Sequence, residues 1–438
     1  MVERIGVIGA GYVGLTSAAC FTHLGHDVVC VDSDQSKVDE LNRGEVAIAE
    51  PGLAELVRDG LICGRLLFST KTDGLAAVDV VLLCLPTPQG EGGDADVRAL
   101  EEVVTGLPGL LTPGCVVVTK STVPVGTGNR LPELLGDADL PVVGNPEFLR
   151  EGHAVEDFLR PERIVLGSRD EDRPAAERVA ALYRGIDAPV WFTDPASAEL
   201  AKYASNAFLA MKLSYVNTLA ELCEHHGADI RAVGRLIGLD SRIGPAFLRP
   251  GPGWGGSCLP KDTAALVRTA ERAGVDFGML RDVLKANARH QSAVVRKIRL
   301  AITGATDGSL TGTRIGLLGL AFKAGTGDLR DSPALAIAGE LARSGAILTG
   351  YDPGVASAAP DIVQVVDDPY LVAKDAEALV VLTEWPEFRE LDWARLAAAT
   401  DQAIVVDTRN LLDPAAVGEA GFTVIGLGTA AQGPGGAR

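Results

Sequence analysis

The sequence has little positive charge for its size. Its 40 lysines and arginines stand against 58 aspartates and glutamates, and the formal net charge is -18 at pH 7. Nucleic acid or an anionic membrane would be repelled over most of such a surface, so neither is expected as a partner. An anionic small ligand would need a local cluster of Lys and Arg.

Paired cysteines and long apolar runs are also missing. The seven cysteines are scattered and odd in number, and they form no C-x-x-C pair. This pattern favours reduced thiols in a cytoplasm over a disulfide framework or a metal site. Apolar stretches such as residues 80–85 fall far short of the roughly 20 residues that span a bilayer. The N-terminus has no basic flank before a long apolar run, so we expect a cytoplasmic protein without membrane contact.

The chain has 438 residues, of which 47% are hydrophobic, so it is long and apolar enough for several globular cores. Strand, helix and strand patterns follow one another twice, at residues 4–32 and 314–352. Between them a long helical pattern runs over 194–226, where Asp194 is the expected N-cap and Pro195 the first helical residue. We therefore predict an α/β fold with two Rossmann-like, doubly wound domains joined by a central helical region with a long spine helix. The predicted boundaries are 1–193, 194–300 and 301–430, with a flexible tail at 431–438.

A glycine-rich turn follows the first predicted strand. The letters GAGYVG place three glycines where a turn lets pyrophosphate reach a helix N-terminus. Asp32 lies 18 residues after the last of them, about where an acid binds ribose hydroxyls and repels a 2′-phosphate. This context predicts NAD binding. Lys37 either offsets the pyrophosphate charge or is a solvated lysine. The predicted cofactor residues of this turn are Gly9, Gly11, Tyr12, Val13 and Gly14.

The segment GWGGSCLPKD, residues 253–262, carries one thiol between a glycine-rich turn and a predicted helix start at Thr263. A helix N-terminus and Lys261 would both favour the thiolate of Cys258, which is the nucleophilic form. The alternative is a buried, inert cysteine. Asp262 is either a proton-handling group or the N-cap of that helix.

Other polar residues stand at strand ends and on the spine helix. Thr87 and Thr122 are hydroxyls at carboxyl ends of strands or ordinary turn residues. Glu147 and Glu151 share a face if their segment is helical, either as a proton relay or as a solvated helix start.

Lys202 and Asn206 lie on an inward-facing stripe of the spine helix. Their buried partner is either a substrate oxyanion or a structural ion pair. Four basic residues on Gly-rich or strand-end segments suit either phosphate binding or surface pairing: Arg242, Lys323, Arg330 and Arg409.

Eight motifs, taken in order, closely resemble those of the UDP-glucose/GDP-mannose dehydrogenase family. They are GAGYVG with Asp32, LPTP, KSTVPVGT, NPEFLREG, ELAKYASN, RIGPAFLRPGPGWGGSCLPKD, GLAFKAGTGDLRDSP and VVDTRN. The resemblance covers nearly the whole chain. It implies an N-terminal NAD domain, a central helical dimerisation region that makes a homodimer or larger homo-oligomer, and a C-terminal domain for the sugar nucleotide.

The resemblance also implies a two-step oxidation. A C6 alcohol loses hydride to NAD, a cysteine captures the aldehyde as a thiohemiacetal, a second hydride leaves to give a thioester, and water releases the acid. The PGPGWGGSC loop resembles the glucose-specific branch, so UDP-glucose is the first substrate candidate and UDP-glucuronate the expected product. TDP-glucose and GDP-mannose remain alternatives, as do a single oxidation like that of β-hydroxyacid dehydrogenases and a non-catalytic NAD-binding regulator.

Carried over to this sequence, the resemblance assigns Cys258 as the nucleophile and gives oxyanion stabilisation to Lys202 and Asn206. Asp262, Thr122 and Glu151 would hold water and handle protons. Arg242 would reach the sugar nucleotide of a partner subunit. The other implied substrate-binding residues are Glu147, Phe148, Leu149, Phe247, Leu248, Gly255, Lys323 and Arg409. The other implied cofactor-binding residues are Lys37, Thr87, Thr122, Glu151 and, on the NAD side, Arg330.

Overall fold

The computed structural model describes residues 2–90, 93–355 and 361–429. The tail predicted at 431–438 lies outside them. The chain forms two compact units. The first comprises Met1–Ser205 with Arg268–Val275, and the second comprises Asn206–Val267 with Asp276–Arg438.

The first unit is built on an eight-stranded sheet. Its strands are β1 Arg4–Ile8, β2 Asp27–Val31, β3 Leu66–Ser69, β4 Val80–Leu83, β5 Val116–Thr119, β6 Val142–Gly144, β7 Ile164–Gly167 and β8 Val190–Thr193. They lie in the order β3-β2-β1-β4-β5-β6-β7-β8. All neighbours are parallel except β6 and β7. The order reverses beside β1, where open α/β sheets bind ligands at the carboxyl ends of strands.

Helices cover both faces of this sheet. They are α1 Tyr12–His23, α2 Gln35–Asn42, α3 Leu53–Ile62, α4 Arg98–Gly106, α5 Thr127–Leu135, α6 Ala154–Leu159 and α7 Arg173–Leu182. In β4, Val80 and Leu82 belong to one apolar cluster while Val81 and Leu83 belong to the other. A strand buried on both sides reads as a continuous apolar run, which is why these strands show no alternation of polar residues.

The spine helix α8 spans Pro195–His226, as predicted. The carboxylate of Asp194 accepts a hydrogen bond from the Ser197 N–H at 2.8 Å, so the N-cap is also confirmed. The helices α9 Ile230–Gly238, α10 Leu259–Arg272 and α11 Gly278–Thr303 follow.

Helix α10 begins at Leu259, so the predicted start at Thr263 is wrong by four residues. Pro260 lies in the first turn, where a missing N–H costs nothing. The Asp262 N–H already donates to the Cys258 carbonyl at 2.9 Å. Asp262 is therefore inside the first turn rather than at the N-cap.

The second unit repeats the strand order of the first. Its strands are β9 Arg314–Leu318, β10 Ile347–Tyr351, β11 Gln364–Val365, β12 Ala378–Val381, β13 Ile404–Asp407 and β14 Thr423–Gly426. They form a parallel sheet in the order β11-β10-β9-β12-β13-β14. The remaining helices are α12 Pro333–Arg343, α13 Trp393–Ala399 and α14 Pro414–Glu419. The predicted fold class, two Rossmann-like sheets and a long central helix, is confirmed. Within the described ranges, no helix has both the length and the apolar character that a bilayer crossing requires.

Candidate active site

The glycine-rich turn after β1 has the shape that a dinucleotide pyrophosphate needs. Gly9 has φ +102°, and a Cβ there would lie 2.6 Å from the Cys84 carbonyl oxygen. A Cβ at Gly14 would overlap the Gly9 carbonyl oxygen, whereas a Cβ at Gly11 would meet nothing within 4 Å. Gly9 and Gly14 therefore close the turn, and Gly11, directly before α1, leaves open space for a ligand.

Asp32 follows β2 and faces this turn. Its carboxylate accepts hydrogen bonds from the N–H of Ala10 at 2.8 Å, the N–H of Asp34 at 3.0 Å and the ammonium of Lys37 at 3.1 Å. Burial raises the pKa of Asp32, but these donors outweigh it and hold the pKa below its usual value. The acid is therefore charged, as a ribose acceptor must be. The residues present fit NAD. The Lys37 ammonium is bound to the Asp32 carboxylate.

A hydrogen bond joins the loops after β4 and β5, which carry Thr87 and Thr122. Thr87 donates to the Thr122 carbonyl at 2.8 Å. Further along the chain from Thr122, the N–H groups of Gly126 and Gly128 each donate a hydrogen bond of 2.6 Å to a separate carboxylate oxygen of Glu199. Burial raises the pKa of Glu199 to about 7, although both backbone donors lower it. Glu199 thus ties the Thr122 loop to α8. The sequence around Glu199 gives no signal for this role.

The segment 145–152 contains no helix, so the condition under which Glu147 and Glu151 would share a helical face is not met. Pro146 restricts Asn145, the residue before it, to extended conformations. Glu147 instead accepts a hydrogen bond from the ammonium of Lys202 at 3.0 Å, and these side chains are 8% and 4% exposed. Of the two partners considered for Lys202, the structure contains the ion pair.

Aromatic contacts surround this pair. The Lys202 ammonium lies 5.4 Å from the ring centroid of Phe148, and the Arg163 guanidinium lies 4.0 Å from the same centroid. The Leu149 N–H donates to the second carboxylate oxygen of Glu147 at 2.5 Å. Of the two predicted substrate residues, Leu149 therefore fixes Glu147 directly, and Phe148 contacts the partner of Glu147, Lys202.

Tyr12, from the glycine-rich turn, is bonded to the segment that carries Glu151. Its hydroxyl donates to Glu50, and the Gly152 N–H lies 2.9 Å from the Tyr12 oxygen and 2.7 Å from the Glu50 carboxylate. Glu50 also accepts the Ala154 N–H at 2.7 Å. Burial, followed by the bond to Glu50, holds the pKa of Tyr12 well above its usual range. Glu50 was not predicted from the sequence.

Cys258 is exposed and directly precedes α10, so the alternative of a buried thiol is wrong. Several other cysteines of the chain differ from Cys258 in burial. Burial raises the pKa of Cys20, Cys84 and Cys115 to about 12, which keeps them as thiols. Cys258 instead lies at a helix N-terminus, where a thiolate is favoured.

Asp262 lies one helical turn beyond the thiol and is 1% exposed. Its carboxylate accepts from the Asn206 amide at 2.6 Å and from the Lys261 ammonium at 2.7 Å. This network fixes the orientation of the Asn206 amide, and it neutralises a buried charge beside Cys258.

The loop before Cys258 is bound to α8 and α11 through Trp254. The Trp254 N–H donates to Asn287 at 3.0 Å, and the Asn287 amide returns a bond to the Trp254 carbonyl at 2.9 Å. The indole N–H donates to Ser214 at 2.8 Å. A Cβ at Gly255 would overlap the Asp331 carbonyl oxygen, so a side chain there would displace this loop.

The predicted basic residues differ in their surroundings. Arg409 donates to the carbonyls of Leu382 at 2.9 Å and Phe322 at 3.2 Å, whereas the Lys323 ammonium lies 5.7 Å from the Phe322 ring centroid. Arg409 is thereby fixed beside the segment that carries Lys323.

Arg330 and Arg242 instead form ion pairs with nearby acids on their own loops. Arg330 pairs with Asp328 at 2.6 Å, and Arg242, 87% exposed, pairs with Asp240 at 2.6 Å. In the segment between α9 and α10, Phe247 has φ +61° and Leu248 is buried.

Comparison with known proteins decides the family. Residues 3–187 match the NAD binding domain of the UDP-glucose/GDP-mannose dehydrogenase family, 196–289 its central domain and 316–414 its UDP binding domain. UDP-glucose 6-dehydrogenase of Rhizobium meliloti (strain 1021) is 45% identical over 97% of this chain and 99% of its own length. The chain belongs to the UDP-glucose/GDP-mannose dehydrogenase family.

Further relatives agree with this assignment. UDP-glucose 6-dehydrogenase of Pseudomonas aeruginosa is 42% identical over 97% of each chain. The solved UDP-glucose dehydrogenase of Pyrobaculum islandicum is 35% identical with a TM-score of 0.87 and covers 98% of each chain. The UDP-D-ManNAc dehydrogenase of Pyrococcus horikoshii is 28% identical with a TM-score of 0.85, over 97% of this chain and 99% of its own. This family member is an NAD-dependent oxidoreductase.

In this dehydrogenase, Asp32→Ala should raise the KM for NAD by about tenfold, because a charged hydrogen-bond acceptor for the ribose is lost. Discrimination against NADP should relax, since Lys37 then faces the 2′-phosphate without its acid. The KM for the sugar nucleotide should barely change. Asp39→Ala removes an exposed acid of helix α2, which follows the Asp32 loop, and serves as the control with equal loss of charge. Unaltered NAD kinetics and unaltered NAD/NADP preference in Asp32→Ala would assign the role to another residue.

Proposed function

We propose that this dehydrogenase oxidises UDP-glucose to UDP-glucuronate in two steps, with Cys258 as the covalent nucleophile. The observation that carries the proposal is the exposed Cys258 thiol at the start of α10, one turn from the Asp262–Asn206 pair. Relatives at 42–45% identity that bear the name UDP-glucose 6-dehydrogenase support the substrate.

An enzyme that takes an alcohol to an acid must retain the aldehyde between steps. A covalent bond from the Cys258 sulfur to C6 does this: the thiolate adds to the carbonyl carbon, and the carbonyl oxygen becomes an alkoxide. The glycine-rich turn and Asp32 would hold NAD, which would supply the hydride acceptor for each oxidation. After the second oxidation, water attacks the thioester carbon, the C–S bond breaks, and the sulfur leaves as the thiolate.

Each oxidation develops negative charge on the C6 oxygen, and N–H donors stabilise it. Lys202 and Asn206 supply such donors from the same face of α8, four residues apart. Asp262 holds the Asn206 amide in place, since its carboxylate accepts one of the amide hydrogens at 2.6 Å. Asp262, Thr122 and Glu151 are the proposed groups that hold the attacking water and move protons.

On the substrate side, Arg409 and Lys323 supply positive charge for the diphosphate. Three contacts fix the Arg409 guanidinium: the carbonyls of Leu382 and Phe322, and an ion pair with Glu384 at 3.0 Å. Glu147 shapes the sugar site through its pair with Lys202.

The proposed substrate is tested by measuring NADH formation with a panel of UDP-, TDP- and GDP-sugars. UDP-glucose should give the highest kcat/KM. A higher value for TDP-glucose, GDP-mannose or a UDP-N-acetyl sugar would replace the substrate and leave the chemistry in place. Tight NAD binding without turnover of any sugar would indicate a non-catalytic regulator.

We further propose a homodimer through the central helices, in the cytoplasm, where thiols stay reduced. The exposed face of α8 carries Phe208, Tyr215 and Leu222, each about half exposed and seven residues apart. Such an apolar stripe is typical of a helix that pairs with a partner. The proposed domain limits remain 1–193, 194–300 and 301–430. Light scattering tests the assembly, and a monomer would contradict it.

A further inference from the structure

The second unit repeats the nucleotide turn of the first. Gly319 after β9 has φ +95°, as Gly9 after β1 has φ +102°. The Gly319 N–H donates to the Tyr351 carbonyl at 2.8 Å, and the Gly9 N–H donates to Val31 at 2.7 Å. One residue beyond each acceptor stands an acid, Asp352 after β10 and Asp32 after β2. Asp352 is thus the second unit's counterpart of the ribose-binding acid.

Asp352 has different partners and greater burial. The residue is 4% exposed. One carboxylate oxygen accepts the N–H groups of Leu320 at 2.7 Å and Ala321 at 2.9 Å and the indole N–H of Trp385 at 3.2 Å. The other accepts the Gly354 N–H at 2.8 Å. Four internal donors use this carboxylate, so it is not available to a ribose.

The two residues that Asp352 binds are also held at their carbonyls. The Ser332 hydroxyl donates to the Leu320 carbonyl at 2.7 Å, and the Thr383 hydroxyl donates to the Ala321 carbonyl at 2.8 Å. Ser332 is 3% exposed and Thr383 is fully buried. Every backbone polar group of Leu320 and Ala321 is therefore bonded to a buried side chain.

Lys323 lies two residues after this fixed dipeptide. Between them, Phe322 donates its N–H to the Asp328 carbonyl at 3.2 Å and accepts from Arg409 at 3.2 Å. The backbone is therefore held without interruption from Leu320 to Phe322, and the starting point of the Lys323 side chain is set by these bonds.

We propose that Asp352 is a positioning residue for nucleotide-sugar binding, which holds Leu320 and Ala321 so that Lys323 meets the diphosphate. This inference rests on the proposed function, because Lys323 is there a substrate contact. A buried carboxylate with backbone donors makes charge-assisted hydrogen bonds, which are about twice as strong as neutral ones. In Asp352→Asn the amide NH2 faces N–H donors and leaves at least one unpaired.

The test is calorimetric titration of the full-length protein with UDP. Asp352→Asn should weaken UDP binding by about tenfold, or ~1.4 kcal/mol, while the Kd for NAD stays unchanged. Asp392→Asn is the matched control. Asp392 caps α13 in the same unit by accepting the Arg395 N–H at 3.0 Å. Its UDP affinity should stay within about twofold of the parent value.

Coupling to Lys323 separates positioning from a general loss of structure. In a Lys323→Ala background, adding Asp352→Asn should change UDP affinity by less than about twofold, because both changes remove the same contact. Effects that multiply would overturn the inference, as would a folded Asp352→Asn variant that binds UDP as tightly as the parent.

If Asp352→Asn does not fold, Thr383→Val takes its place. This isosteric change removes only the bond to the Ala321 carbonyl and should weaken UDP binding in the parent but not in Lys323→Ala. Equal effects in both backgrounds would contradict the inference. Failure of the parent protein itself to bind UDP would instead overturn the proposed function and the inference with it.

Discussion

Cys258→Ser should abolish formation of UDP-glucuronate, with a loss of at least about a thousandfold in kcat, because a serine hydroxyl is a far weaker nucleophile than a thiolate at neutral pH. NAD binding should survive, since the glycine-rich turn and Asp32 are untouched. Product is measured by chromatography of the sugar nucleotides after long incubation.

The matched control for this variant is Cys63→Ser. Cys63 and Cys258 are the exposed cysteines of the described residues, and Cys63 donates its S–H to the Gly60 carbonyl at 3.4 Å after α3. Cys63→Ser should retain parental activity. Steady-state production of UDP-glucuronate by Cys258→Ser at a rate near the parent's would refute the covalent route.

Lys202→Ala should lower kcat by on the order of a hundredfold to a thousandfold and change the KM for sugar nucleotide much less, since the proposed charge on oxygen develops only during reaction. The ion pair with Glu147 complicates this experiment. Removing Lys202 leaves a buried carboxylate unpaired, which typically costs about 3–5 kcal/mol of stability. kcat must therefore be expressed per folded molecule, with the folded fraction taken from circular dichroism.

A double variant resolves the two roles of Lys202. Lys202→Met with Glu147→Gln removes both charges and should recover most of the lost stability. If Lys202 stabilises an oxyanion, kcat stays as low in the double variant as in Lys202→Ala. Recovery of kcat to within a few-fold of the parent would show that Lys202 serves only the ion pair.

Local signals explain which parts of the fold the sequence predicts well. Asp194 and Pro195 mark the start of α8 because capping and a fixed φ act within one turn. The turn around Gly9 is equally local. Helix α10 begins four residues before the predicted start, because Pro260 fits the first helical turn.

Long-range pairs explain most of what the sequence does not predict. Lys202 meets Glu147 across 55 residues and Asn206 meets Asp262 across 56, and no periodicity encodes such pairs. Glu199 resembles any other helical acid until the structure places it against two glycine N–H groups. Asp352 did carry a signal, an acid after the second strand of a βαβ unit, but its use depends on burial that appears only in the folded chain.

The most direct measurement is the amount of NADH released per UDP-glucose when the sugar nucleotide is limiting and NAD is in excess. Oxidation of a C6 alcohol to an acid removes two hydrides, so two NADH should form for each UDP-glucose consumed, with UDP-glucuronate as the product and no free aldehyde trapped by an added amine. One NADH per UDP-glucose, with the aldehyde released, would contradict the two-step oxidation at Cys258.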